Sequence, residues 1–521
     1  MQDALLHPLT SFSTRRHRRL SHTALIVAVF MNAGWFPCAT AGAAQIWAGV
    51  AKADITDRVA KPVNDPLYVK ALVLKDDVTT AVIITVDAVA IGQLGRIGNE
   101  FLANVRAELQ KELPIKPSNV LVNASHCHGV VCADVERRTV QAVKEAWRNM
   151  VPVSIGAGAG HENRIMENRR LKLKDGKEAD VRHAYSLPPD EEVAGIGPVD
   201  PEIGLLRLDR KDGQPLAVVY NFACHPIMGV PSGGNTADVP GFASKVIEEN
   251  CGPGTIALFV QGCAGDINPV LYKDVHNPRD AEPLGNMLGL SAMRALKNIR
   301  TKESGDLKVI HDVIALPRGA DLEQRMSAMQ AEQSRLLQSL KGTSLNLKTF
   351  LPLFVQYKVA GDFPSYYSHR YLHDKSLGRE DLNKLDAENR ANMEQYIQNI
   401  HTMEQLTRIQ ANMDLLKMHH AQNVAAGKAT IDVEVAGLRI GDFVLVTFPG
   451  ELSVEIGLNI KKRAPTRFTF VAGCTNGYIY YAPTEKQRNN PGCAQEDCDC
   501  LLAPQWQKLY EDRVDAILKK L

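Results

Sequence analysis

The sequence predicts an α/β fold, with mixed buried β-sheets flanked by helices and a helical insertion before the last strands. Three features of the 521 residues carry this expectation. Over residues 46–318, short apolar runs alternate with helical patterns, the texture of a buried sheet with helices on its faces. Residues 320–426 then become long polar helices in which Leu406, Ile409, Met413 and Leu416 recur every three or four positions, the stripe of a packing seam. Strand patterns return at 431–435 and 443–446, so the helical stretch, 319–428, interrupts a single domain spanning 44–521.

Taken in order, the chain opens with Arg15-Arg16-His17-Arg18-Arg19, the apolar run 23–30 and small residues at 39–44. That succession predicts a signal peptide over 1–43 and a periplasmic or secreted protein. The apolar run falls short of the roughly 20 residues of a spanning helix, and no later segment is long and apolar enough, so no transmembrane span is expected in the mature chain. Strands are expected at 71–74, 81–86, 120–122, 216–220 and 257–260, each a short apolar run bounded by polar or glycine-rich sequence. Asp134 marks the start of a helix whose apolar stripe runs through Val140, Val143 and Trp147. A short helix, LYEDRVDAILKKL, closes the sequence.

Lysine plus arginine (60) balances aspartate plus glutamate (59), which leaves no global field to attract nucleic acid and points to a small or neutral partner. Of ten cysteines, Cys38 would leave with the signal, so the mature chain holds an odd number. Cys493, Cys498 and Cys500 crowd into CAQEDCDC, which an oxidising compartment would use for disulfides; a structural zinc knot would need paired Cys-x-x-Cys arms.

The expected strands end where α/β proteins place their sites: at Asp87, at Ser125-His126-Cys127-His128, at Cys224-His225-Pro226 and at the loop from Gly262 to Asp266. In extended geometry His126 and His128 would face one spot, with Cys127 on the other side. A polar turn ahead of the next helix is the simpler alternative. His225 is arrested at a sheet margin by Pro226. After Pro449-Gly450, Glu451 opens a helical pattern, where a first-turn glutamate is favourable without any function. Tyr478, Tyr480 and Tyr481 crowd beside an Asn-Gly turn, a cluster that core packing explains equally well. Two histidine loops and one carboxylate loop leaving one α/β domain meet the needs of a nitrogen-and-oxygen metal site, best suited to zinc and to hydrolysis. The aromatic segment 350–371 reads as core packing or as a lid over an apolar substrate.

The stretches AGVAKADIT, DPLYVKALVL, NASHCHG, ENRRLKLKDG, NFACHP, ADVPGFA, VQGCAGDINP, TFPGE and TNGYIYYAPT, in this order, resemble the catalytic domain of the neutral/alkaline (non-lysosomal) ceramidase family. The resemblance covers the chain from residue 48 onward apart from the helical insertion. It implies a zinc amidase cleaving an N-acyl bond, with His126, His225, Glu451 and Tyr481 as metal ligands. His128 would then be the proton carrier, and Arg169 the partner of the developing oxyanion or of a polar substrate group. The implied partner is an N-acyl lipid or another small N-acylated compound, with peripheral contact with lipid. Three departures bear on the substrate: Asn268 stands where the family has a serine, a supporting tyrosine falls on or near Cys493, and the family's C-terminal immunoglobulin-like domain has no counterpart in this sequence. An esterase or lactonase on the same site, or a non-catalytic metal-dependent secreted binding protein, are the competing expectations.

Overall fold

The computed structural model describes residues 45–181, 187–272, 274–359, 368–491 and 494–521. The expected signal peptide, Cys493 and residues 360–367 of the aromatic segment lie outside the described residues. Strands β1 (Ile46–Asp54), β2 (Tyr68–Lys75) and β3 (Thr80–Val86) form an antiparallel run, after which helix α1 (Phe101–Glu112) carries the chain to β4 (Val120–Ala124), parallel to β3. Helix α2 (Val135–Arg148) leads to β5 (Val151–His161). Four short strands follow, β6 (Met166–Asn168), β7 (Arg170–Leu173), β8 (Glu178–Asp180) and β9 (Val193–Ile196), then the long pair β10 (Glu202–Arg210) and β11 (Pro215–Phe222). A second crossover helix, α3 (Asp238–Cys251), leads to β12 (Ile256–Gln261), parallel to β11. Both parallel pairs are joined through helices because two strands running the same way cannot be linked by a tight turn.

These strands build one eight-stranded sheet in the order β12-β11-β10-β5-β1-β2-β3-β4. Its two edges approach each other: the Gln261 N–H at the end of β12 donates to the side-chain oxygen of Asn123 in β4, 3.0 Å away. Strands β13 (Ile267–Pro269) and β14 (Leu307–Pro317), flanking helix α4 (Ala281–Leu296), precede the helical insertion: α5 (Leu322–Ser339), α6 (Leu347–Val359), α7 (Ser368–Ser376) and α8 (Asp381–Ala426). The expected seam is present, with Leu406, Ile409, Met413 and Leu416 of α8 buried against Leu322, Met329 and Leu336 of α5. The chain then returns to β15 (Thr430–Ile440), β16 (Phe443–Thr447), β17 (Glu451–Leu452), α9 (Val454–Arg463), β18 (Phe468–Ala472) and β19 (Tyr481–Ala482). A second sheet has the order β14-β15-β16-β18. Two short helices, α10 (Glu485–Arg488) and α11 (Gln495–Cys498), precede the terminal α12 (Trp506–Leu518).

The two sheets share a core in which Ile46, Leu72, Leu206 and Leu258 of the first meet Leu438, Phe443 and Phe470 of the second. Outward of it, α1 and α2 cover one half of the first sheet, α3 and α4 the other, and α9 and α12 cover the second sheet. Each fully buried aliphatic or aromatic side chain contributes roughly 1.5–3 kcal/mol. Such burial makes the strand ends a rigid frame for the loops they emit. Among the described residues no helix is long and apolar enough to cross a membrane.

Candidate metal centre

Strand β4 stops at Ala124, and the next residues leave it along a turn rather than an extended line. His126 has φ of 70° and donates its N–H to the Ala88 carbonyl at 2.9 Å. The expectation that strand alternation aims His126 and His128 therefore fails, because a left-handed residue breaks the two-residue period. The two rings nevertheless share one cavity, with centroids 5.9 Å apart. Cys474, Asn476 and Tyr480 also adopt positive φ, so four of the seven non-glycine residues of this kind among those described surround one site. Strain gathered in this way accompanies function more often than packing.

His126 Nδ1 lies 2.6 Å from the Val89 carbonyl and His225 Nδ1 lies 3.0 Å from the Ile267 carbonyl. A carbonyl only accepts, so each Nδ1 carries the proton and each Nε2 is presented bare. Both Nε2 atoms face the same oxygen, Glu451 Oε2, at 3.3 Å from His126 and 2.8 Å from His225. The other carboxylate oxygen, Oε1, accepts from the Tyr478 hydroxyl. All three residues are buried, and their donor atoms lie within 4.8 Å of one another. Three electron-rich atoms converging in a buried space repel unless a proton or a cation sits among them, and the set of two imidazoles and a carboxylate, each oriented by a second hydrogen bond, fits a divalent metal.

Without a metal, a proton on His126 takes the place of the cation between the imidazoles and the carboxylate. Burial alone would push the His126 imidazole down, but the Glu451 carboxylate beside it raises it well above its usual range. Burial, then the Arg169 charge, push His225 down to about 3. Glu451 would be raised by burial, yet the two imidazoles hold it well below the ordinary carboxylate range. Burial and the Glu451 charge raise Tyr478, which stays a neutral donor.

Glu451 does not open a helix, as the sequence suggests. It forms β17, pairing in parallel with β19 so that Glu451 lies directly beside Tyr481, and α9 starts three residues later. The Tyr481 hydroxyl reaches to 3.5 Å from His225 Nε2. Arg169, buried between β6 and β7, donates through Nη2 to that hydroxyl (3.2 Å) and to the Gly265 carbonyl (2.6 Å), and through Nη1 to Asn268 (3.1 Å). Its Nε sits 2.7 Å from Glu496. The guanidinium is thus largely engaged by the protein, and Asn268 is one of its partners. The ends of both sheets are tied at this point: Asn123 donates to the Gly473 carbonyl (2.8 Å), and Gly473 N–H donates to Gln261 O (3.0 Å). A β-carbon on Gly473 would meet the carbonyls of Gly262 at 2.9 Å and Gly450 at 3.1 Å, so three loops cross here only because it is glycine.

The cavity, about 220 Å³, is lined by the donor set, by His128, Arg169, Asn268, Tyr272, Tyr478, Tyr481 and Asp499, and by apolar Val89, Leu94 and Ile227. His128 is an exposed residue on its wall. No described residue of the aromatic segment lines it; Phe350 stacks on Tyr396 of α8 at 4.5 Å, so this part of α6 packs on α8. Cys127 and Cys224 are buried in separate apolar clusters. Cys500 is a buried free thiol, outside any disulfide. Tyr478 is legible in the sequence only as one of a tyrosine cluster, and Glu496 and Asp499 not at all, since both lie inside CAQEDCDC, whose cysteines are the local signal.

A curled mixed sheet packed on a second sheet, with a buried His-His-Glu group at the strand ends, defines a neutral ceramidase-like fold, and the chain has that fold. It superimposes on the crystal structure of neutral ceramidase from Pseudomonas aeruginosa with a TM-score of 0.56 at 15% identity, over 92% of this chain and 75% of that one. A ceramidase complexed with C2 matches with the same TM-score and coverage at 16% identity. No family model and no curated protein matches the sequence.

Proposed function

We propose that this chain is an exported zinc-dependent hydrolase of N-acyl amide bonds, with residues 1–43 as its export signal and 44–521, including the insertion 319–428, as its catalytic domain. The observation that carries the reading is the pair of Nε2 atoms converging with Glu451 Oε2 on a cavity that also holds His128. His126, His225, Glu451 and Tyr481 would hold the metal. The chemistry that zinc supplies in such a set is Lewis acidity, which polarises a carbonyl and makes water nucleophilic near neutral pH.

The remaining work falls to the chain. Val89 and Ile267 fix the imidazole tautomers through their carbonyls. Tyr478 anchors one oxygen of Glu451 and leaves the other directed at the histidines. Arg169 positions the Tyr481 hydroxyl beside His225. His128, at the cavity wall, accepts a proton from attacking water and returns it to the departing nitrogen. Val89, Leu94 and Ile227 offer the acyl side an apolar surface.

The test is hydrolysis of matched N-acyl amides and esters by purified protein, with and without a chelator. Chelator-sensitive amide cleavage is expected, and alanine at His126, His225 or Glu451 should abolish bound zinc and turnover together. Cleavage of esters alone would move the protein to the esterases, and activity insensitive to chelation would remove zinc from the mechanism.

A further inference from the structure

Asp499 is 93% buried at the cavity wall, yet only one of its carboxylate oxygens has a partner among the described residues: Oδ1, which accepts from His419 Nε2 at 2.8 Å. His419 comes from α8 and is fully buried; its Nδ1 has no hydrogen-bond partner, and its ring lies edge-on to Tyr480 at 4.7 Å. Through this one bond the ring fixes the carboxylate and its charge in one orientation, and no second side chain among the described residues engages the other oxygen. Nor is that charge met from across the cavity. Arg169 is paired with Glu496, and its remaining contacts go to Gly265, Asn268 and Tyr481. A carboxylate oxygen that is open to a cavity, beside one already held by a histidine, is a ready acceptor for a donor that enters the cavity.

We infer that Asp499 is a specificity-determining residue that accepts a hydrogen bond from an ammonium or hydroxyl group on the amine side of the substrate. This rests on the amide-hydrolase reading, in which the acyl side is hydrocarbon and only the amine side can carry such a donor. Acylated diamines are the favoured substrates. Acylated amino acids are disfavoured, because their carboxylate would meet that of Asp499. The helical insertion thereby acquires a role: through His419 it sets the geometry of a substrate contact although none of its described residues lines the cavity.

The experiment is calorimetric binding of four alkylsulfonamides to the full, metal-loaded chain. They are non-hydrolysable, share one alkyl group and one two-carbon spacer on nitrogen, and end in ammonium, hydroxyl, methyl or carboxylate. The ammonium ligand should bind at least about tenfold more tightly than the methyl ligand, with hydroxyl between them and carboxylate weakest. In Asp499→Asn the ammonium advantage should collapse while hydroxyl binding persists, since an amide oxygen still accepts. Equal affinities in the unaltered protein, preference for the carboxylate, or no binding by any of the four overturns the inference, and this arm needs no variant to fold. An ammonium preference unchanged in Asp499→Asn overturns it equally. Amide hydrolysis with no ligand ranking defeats this assignment alone, whereas a ranking without hydrolysis defeats only the amidase reading.

Discussion

Replacing His128 by alanine separates the proposed proton carrier from the proposed metal ligands. His128 is an exposed residue outside every buried apolar cluster, and its ring centroid lies 5.9 Å from that of His126. A surface side chain of this kind contributes within about 0.5 kcal/mol to stability. It is not among the converging donor atoms, so bound metal should be unchanged. As the general acid and base it would be worth a factor of about 10²–10⁴ in the chemical step, or roughly 3–5.5 kcal/mol of barrier. The effect on turnover should thus exceed the effect on stability about sixfold or more in free energy, and substrate affinity should change far less than rate. Elemental analysis of the purified variant, its denaturation midpoint and single-turnover rates on a matched amide measure the three quantities. Near-normal turnover by folded His128→Ala would refute the role, and loss of zinc from it would refute the ligand assignment as well. The alternative of a helix-capping turn finds no support, since Asp134 precedes α2 and pairs with Arg138 at 2.9 Å.

Three further outcomes follow from the same geometry. Cys127→Ser and Cys224→Ser should each leave zinc content unchanged while lowering stability by roughly 1–3 kcal/mol, because both thiols are buried among apolar side chains; loss of zinc on elemental analysis would mean that sulfur binds the metal. Burial would raise the Glu434 carboxyl, but His311 and Arg106 outweigh it and bring it down to about 2. The folded value lies below the unfolded one, so its contribution is complete above about pH 4.5 and is lost as pH falls toward 2; Glu434→Gln should be roughly 2 kcal/mol less stable at neutral pH, with the gap closing across that window in denaturant titrations. Gly204→Ala would put a β-carbon 2.4 Å from the Phe470 ring, between the two sheets, and should lower the denaturation midpoint by the equivalent of about 1–3 kcal/mol.

The strands were legible because burial on both faces leaves unbroken apolar runs: 81–86 and 120–122 fall inside β3 and β4, and 216–220 and 257–260 inside β11 and β12. The α8 seam was legible for the complementary reason, its period. What could not be read was pairing at long range. Glu451 looked like a helix start because nothing near it announces a two-residue strand whose partner, Tyr481, lies 30 residues on. The turn at His126 depends on hydrogen bonds to the loop after β3, contributed by Val86, Ala88 and Val89. Arg169 and Tyr481 emerged only through resemblance to a family, and Glu496 and Asp499 not at all, since a lone acid carries no local signature until its partner is known.

The way the large sheet closes has a consequence for the chain before it is finished. An open eight-stranded sheet has two edges that can recruit strands from other molecules. Here both are covered by one short segment: Asn476 N–H bonds to Val122 and Ala124 N–H to Cys474 along β4, while Gly473 N–H bonds to the end of β12. That segment lies near the C-terminal end of the chain, more than 200 residues after β12. A ribosome-bound chain would therefore carry these edges without those bonds until residues 473–476 have been made. The loops that mask them lead directly into Tyr478 and Tyr481, so aggregation resistance and assembly of the candidate metal pocket are gained in the same step.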